Sequence, residues 1–234
     1  MGTLEIPRVS MGQRPTLGFQ RVNPTWLKIV RTIASNTLAK FYLRVYCEGA
    51  RNVPDTGACL VASNHFSGLD PFLIGMVIDR PIYYLGKIEM FRGPIFTWIL
   101  KSLGCVPIDR STLDTSAVRT VLQLIHEGEL IGIAPEGTRS RTGEVLPFTY
   151  GVTKLALRTQ TPIVPVAVYG TRELMPPGAT YFRPGKVYIK FGELFDLSAS
   201  YHERITPELL EKNTAIIRQK VVDLFEQIRV RPLK

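Results

Sequence analysis

From residue 48 onward, short apolar runs that read as strands alternate with longer stretches of helical period, and this alternation limits the possible folds most sharply. "ACLVASN" reads as a strand ending at Asn64, "PFLIGMVI" as a helix and "PIYYLGK" as a strand. "PIFTWILKSL" is helical, "GCVPID" is a short strand, and "TSAVRTVLQLIHEG" is a helix closed by Gly128. "ELIGIAP" is again a strand, followed by the helix "GVTKLALRTQ", the strands "PIVPVAVYG" and "KVYIKFGE", and a last helix from Thr206 and Pro207 to about Ile228. Continuous apolar runs suit strands buried on both faces. Alternating strands and helices imply an α/β fold with a mostly buried mixed sheet flanked by helices. At 234 residues the chain is long enough for one sizeable core, and it carries no repeat and no sign of a second domain.

The formal net charge of +9 is unevenly placed, with seven Lys/Arg in residues 1–47 against the single acid Glu5. Residues 1–23 read as an irregular leader. Asn23 can cap a helix and Pro24 suits its first position. Trp26, Ile29, Val30, Ile33, Thr37 and Phe41 then follow helical spacing with Lys28, Arg31 and Lys40 interspersed. Residues 1–47 are therefore expected to form a leader and a basic amphipathic helix, and 48–234 the main domain. The helix either packs on the core with a solvated basic face or lies in a membrane interface, where each basic residue near an anionic leaflet is worth about 1 kcal/mol. No segment approaches the ~18 charge-free apolar residues that span a bilayer, and the N-terminus has no signal-peptide core. A peripheral protein on the cytoplasmic face is expected. Cys47, Cys59 and Cys105 match no disulfide or zinc spacing, and His65, His126 and His202 are scattered, so no metal is expected.

The candidate chemistry sits at strand ends, where α/β proteins gather their sites. Asn64 and His65 follow the first of these strands, with Asp70 five positions after the histidine and directly before Pro71. Asp70 can cap the next helix and also orient His65, giving a base that could activate an alcohol delivered by a substrate. Read alone, His65 is better taken as a loop histidine bonded to backbone. Arg110 ends "GCVPIDR", and "APEGTRS" places Glu136, Gly137, Thr138 and Arg139 after another strand. Gly137 permits a sharp turn, and an arginine fork suits phosphate.

Taken in order, these blocks resemble the glycerolipid acyltransferases, most closely the 1-acyl-sn-glycerol-3-phosphate acyltransferases. The family pattern N-H-x-x-x-x-D is matched by Asn64, His65 and Asp70, G-x-x-x-x-x-R by Gly104 to Arg110, and F-P-E-G-T-R-S by Pro135 to Ser140 with Ala134 in place of Phe. The apolar proline-containing strand is matched by Val164 to Val168, and "YLGKIEMF" supplies Lys87. The resemblance covers about residues 48–195. It implies that His65 is the general base, with Asp70 orienting and charging it. It also implies that Lys87, Arg110 and Arg139 hold an acceptor phosphate, that Glu136, Gly137 and Thr138 are substrate-binding, with Glu136 ordering the pocket by bonding an acceptor hydroxyl or a neighbouring cation, and that Asn64 or nearby backbone amides stabilise the oxyanion. The acceptor would be a lysophospholipid, the donor acyl-CoA or acyl carrier protein, and no cofactor would be required. A membrane surface with anionic lipids is the implied partner, and the family commonly docks through N-terminal helices. Other acceptors (glycerol-3-phosphate, a lyso-aminolipid or a lipid-linked sugar) remain open, as does a catalytically inactive lipid-binding relative, against which the intact His65 and Asp70 argue. Nucleic acid is disfavoured because no nucleic-acid fold signature accompanies the basic arm.

Overall fold

The computed structural model describes residues 20–109, 115–176, 179, 181 and 183–233, with backbone alone over 34–41. Among the described residues seven strands form one sheet: β1 (Leu43–Glu48), β2 (Cys59–Ser63), β3 (Ile82–Lys87), β4 (Cys105–Ile108), β5 (Leu130–Ile133), β6 (Ile163–Tyr169) and β7 (Gly185–Phe191). Their order is β1-β7-β6-β2-β5-β3-β4. All neighbours pair in parallel except β6 and β7, which are antiparallel. Strands β2 to β6 therefore share one carboxyl edge, and β1 and β7 run the other way.

The helices are α1 (Pro24–Phe41), α2 (Asp70–Met76), α3 (Pro94–Ser102), α4 (Thr115–His126), α5 (Gly151–Thr159), the short α6 (Thr171–Leu174) and α7 (Pro207–Arg229). All five residues of β2 are buried. Its alternate side chains enter two separate cores. Leu60 and Ala62 join residues of α4, α5 and α7 on one face, while Cys59 and Val61 join Leu73 and Ile74 of α2 on the other. Burial on both faces is why β2 and β6 show no polar alternation. The longest helix, α7, opens where Thr206 Oγ1 accepts from the Leu209 amide at 3.2 Å, followed by Pro207.

The expected boundary at residue 48 is corrected. β1 is an edge strand of the same sheet, paired in register with β7 from Leu43↔Gly185 to Glu48↔Lys190. The preceding helix starts as expected, with Asn23 Oδ1 accepting from the amides of Thr25 and Trp26 at 2.9 and 3.1 Å. Val22 and Leu27 are buried in the main core. Arg31 is not part of a solvated basic face. Its guanidinium donates to the carbonyls of Gly75 and Arg80 at 3.0 and 2.8 Å, bracing α2 and the turn after it. Lys28, Ile29 and Ile33 remain outward. Among the described residues no helix is long and apolar enough to cross a membrane.

Candidate active site

β2 lies in the middle of the sheet between β5 and β6, and His65 follows it by two residues. The pairing Ala62↔Ile133 brings the segment after β5 beside the segment after β2. The strand order thus joins blocks about 70 residues apart in the chain.

His65 Nδ1 lies 3.0 Å from Asp70 Oδ2. The same carboxylate oxygen accepts the amides of Phe66 at 2.7 Å and Ser67 at 2.8 Å. Asp70 is 1% exposed; the three donors all satisfy Oδ2, while the buried Oδ1 has no partner among the described residues. Asp70 was expected to cap α2 and does not: it is the first helical residue, after Leu69, and its carboxylate turns back onto the loop. This serves the histidine better. An acceptor at Nδ1 holds the proton there and leaves the Nε2 lone pair as the basic one. Nε2 has no partner among the described residues, and the His65 side chain is 23% exposed.

The backbone of His65 is held at both ends by the segment after β5. Its amide donates to Glu136 Oε1 at 3.0 Å, and its carbonyl accepts from the Ser140 amide at 2.8 Å. Ser140 Oγ in turn donates to the Glu144 carbonyl at 2.7 Å. Below the loop, the buried Phe66 ring meets Phe225 of α7 edge-on at 5.3 Å. His65 is thereby fixed from the neighbouring strand end, from its own loop and from beneath.

Glu136 is itself buried, and burial pushes its pKa up to about 7. The His65 amide and the Arg218 guanidinium oppose that rise by favouring the carboxylate. Arg218 sits on α7 and donates to the carbonyls of Val145 and Leu146 at 2.8 and 3.1 Å. Glu136 thus braces the histidine loop through Oε1, and its Oε2 has no partner among the described residues. Asn64, the oxyanion candidate, is turned into the sheet instead. It is fully buried, donates to the Val168 carbonyl at 2.9 Å and accepts from the Val168 amide at 2.8 Å, so its amide cannot also face an oxyanion. The amides of His65, Phe66 and Ser67 are likewise taken, by Glu136 and Asp70.

Gly137, Thr138 and Arg139 are exposed at the turn, and Gly137 adopts the left-handed φ of +70° that its place in the motif predicts. Arg139 lies over the histidine loop: a Cβ placed on Gly68 would stand 4.0 Å from its guanidinium. Lys87 ends β3 at the same carboxyl edge and is exposed. Arg110 follows β4 in the chain and lies outside the described residues. The roles of Ser140 and Arg218 were not legible in the sequence. Ser140 acts through its backbone, and Arg218 reaches the site from a helix far along the chain.

Thiol chemistry is disfavoured here. Burial pushes the pKa of Cys59 and Cys105 up to about 12, so both stay protonated near neutrality, and Cys47 is exposed on the edge strand β1, with β7 and β6 between it and β2. His126 at the end of α4 and His202 in a loop are both exposed and stand apart from the dyad in the fold.

Residues 44–169 match the sequence profile of the family described as Acyltransferase. A 1-acyl-sn-glycerol-3-phosphate acyltransferase of Borreliella burgdorferi is 30% identical over 191 residues, covering 80% of this chain and 74% of that protein. The enzyme of the same name from Bacillus subtilis is 29% identical, over 76% of this chain and 86% of its own. The crystal structure of the 1-acyl-sn-glycerophosphate (LPA) acyltransferase PlsC from Thermotoga maritima superposes with a TM-score of 0.70 at 28% identity, covering 89% of this chain and 81% of that one. With a profile match over more than half of its length and a 30%-identical relative spanning most of both proteins, the chain belongs to the acyltransferase family that contains the 1-acyl-sn-glycerol-3-phosphate acyltransferases.

Proposed function

We propose that the protein is an O-acyltransferase that moves a fatty acyl group from a thioester, acyl-CoA or acyl carrier protein, onto the free sn-2 hydroxyl of 1-acylglycerol-3-phosphate, giving phosphatidic acid. The relatives' shared name supports the acceptor. The observation that carries the mechanism is the His65–Asp70 pair: its outer nitrogen is open, and no hydroxyl or thiol of the described residues is bonded to the ring. The nucleophile is then the substrate's own alcohol. His65 Nε2 takes the hydroxyl proton as the oxygen bonds to the thioester carbonyl carbon. The resulting imidazolium is stabilised by Asp70. Collapse of the tetrahedral intermediate breaks the C–S bond, and the departing thiolate recovers the proton from His65. The reaction needs neither metal nor bound cofactor.

Arg139 and Lys87, at the same sheet edge as His65, are suited to the acceptor phosphate, with Arg110 as a third candidate. The substrate is a membrane lipid, so the enzyme works as a peripheral protein on the cytoplasmic face, with the basic N-terminal helix against anionic headgroups. The test is acyl transfer from a labelled thioester to a panel of acceptors in mixed micelles. Phosphatidic acid formed from lysophosphatidic acid, with much slower acylation of glycerol-3-phosphate and lyso-aminolipid, is expected. Preference for another acceptor would overturn the assignment while leaving the chemistry intact.

A further inference from the structure

We propose that residues Ile88–Ile99 form a second membrane-docking element, one that seats in the headgroup boundary of an anionic phospholipid bilayer beside the mouth of the site. The inference rests on the reading of the acceptor as a membrane lipid and specifies where the protein meets that membrane.

Helix α3 is a core helix in sequence pattern but not in place. Within it only Leu100 and Ser102 are buried, whereas Ile95 is 75%, Phe96 51%, Trp98 49% and Ile99 38% exposed. The turn before it adds Ile88 at 49% and Met90 at 38%. Scattered apolar residues on a surface need no explanation, but this run is contiguous. It is also joined to α1: the Trp98 ring lies 5.4 Å from that of Trp26, and α1 exposes Ile29 and Ile33 one turn apart. Two helices thus present one apolar face, with an aromatic ring of the kind that favours the membrane–water boundary.

The charges around this face select the occupant. Lys87, Arg92 and Lys101 flank α3 against the single acid Glu89, and Lys28 stands on the exposed stripe of α1. A cationic rim around an apolar centre complements an anionic leaflet. Position supplies the functional link. The element starts directly after Lys87 at the carboxyl end of β3, the same edge from which His65 and Arg139 project. Seating α3 in the bilayer therefore brings the headgroup layer to the phosphate-binding side of the site.

Trp26 and Trp98 are the two tryptophans of the chain, so Trp26→Phe leaves Trp98 as a sole fluorescent reporter on α3. The experiment mixes this variant with phosphatidylglycerol–phosphatidylcholine vesicles carrying acyl-chain-brominated lipid. It then compares Ile95→Ser/Phe96→Ser with wild type for vesicle co-sedimentation and for acyl transfer to a monomeric short-chain lysophosphatidic acid. Trp98 quenching by about twofold is expected, with vesicle affinity of the double variant reduced about tenfold and its rate on the monomeric acceptor unchanged. Wild-type vesicle binding with Trp98 unquenched would overturn the inference and leave the acyl-transfer reading standing. A dimer in sedimentation that the double variant dissociates, without loss of vesicle binding, would also overturn it by assigning the face to a second copy. Quenching without acyl transfer from wild type would uphold the docking element and sink the acyl-transfer reading instead.

Discussion

Asn64 presents both ends of its amide to Val168, across 104 residues of chain, and so ties the strand before the histidine to the backbone of β6. Asn64→Ala strands a buried backbone donor and acceptor, and with each costing about 1–3 kcal/mol the expected loss of stability is about 2–6 kcal/mol, read from urea unfolding. Glu136 does similar work for the histidine itself, with a pH signature. Because its folded pKa is raised from 4.5 to about 7, the folded protein keeps a proton that the unfolded chain has released over that interval. Stability due to Glu136 therefore falls as pH rises from about 4.5 to about 7 and is level on either side. Glu136→Gln retains an oxygen for the His65 amide and removes the charge, so its thermal midpoint should lack that decline. An unchanged slope would show that Glu136 does not titrate there. At this scale the motif residues were legible by type and spacing, but their partners were not. Nothing local marks Asn64 as a bridge to Val168 or Glu136 as a bridge to the His65 amide, since both bonds depend on which strands become neighbours.

The elements were more legible than the contacts. Continuous apolar runs gave β2, β5 and β6, and punctuation by Gly and Pro bounded the helices α3, α4 and α7, because those signals are local. β1 was missed although "LRVYCE" alternates in the manner of an edge strand, with Leu43 buried and Arg44 exposed. The concentration of basic residues around it favoured reading the segment as part of a leader. Strand order was not legible at all, since it is set by long-range pairing and packing. One close approach within the sheet invites a test. A Cβ on Gly132 of β5 would stand 2.0 Å from the Tyr84 ring of β3. Gly132→Ala must push that ring aside, and a destabilisation of about 1–3 kcal/mol is expected by differential scanning calorimetry.

For the molecule as a whole, charge and chemistry converge on one edge. The strands with a common direction deliver His65, Lys87 and the Glu136–Arg139 turn to the same side, and the apolar faces of α1 and α3 carry basic residues beside them. Electrostatic attraction to an anionic leaflet is screened by salt, so vesicle association should weaken as ionic strength rises from about 0.05 to about 0.5 M, where the screening length shortens to a few ångströms. Association indifferent to salt would assign docking to apolar insertion alone. Wild type and His65→Ala should be compared directly for acyl transfer from a labelled thioester to lysophosphatidic acid, with circular dichroism confirming that the variant folds. A fall in rate of about 10²–10⁴-fold or more, the range for losing a general base, is expected. Near-wild-type turnover by folded His65→Ala would contradict the assignment of His65 as the base.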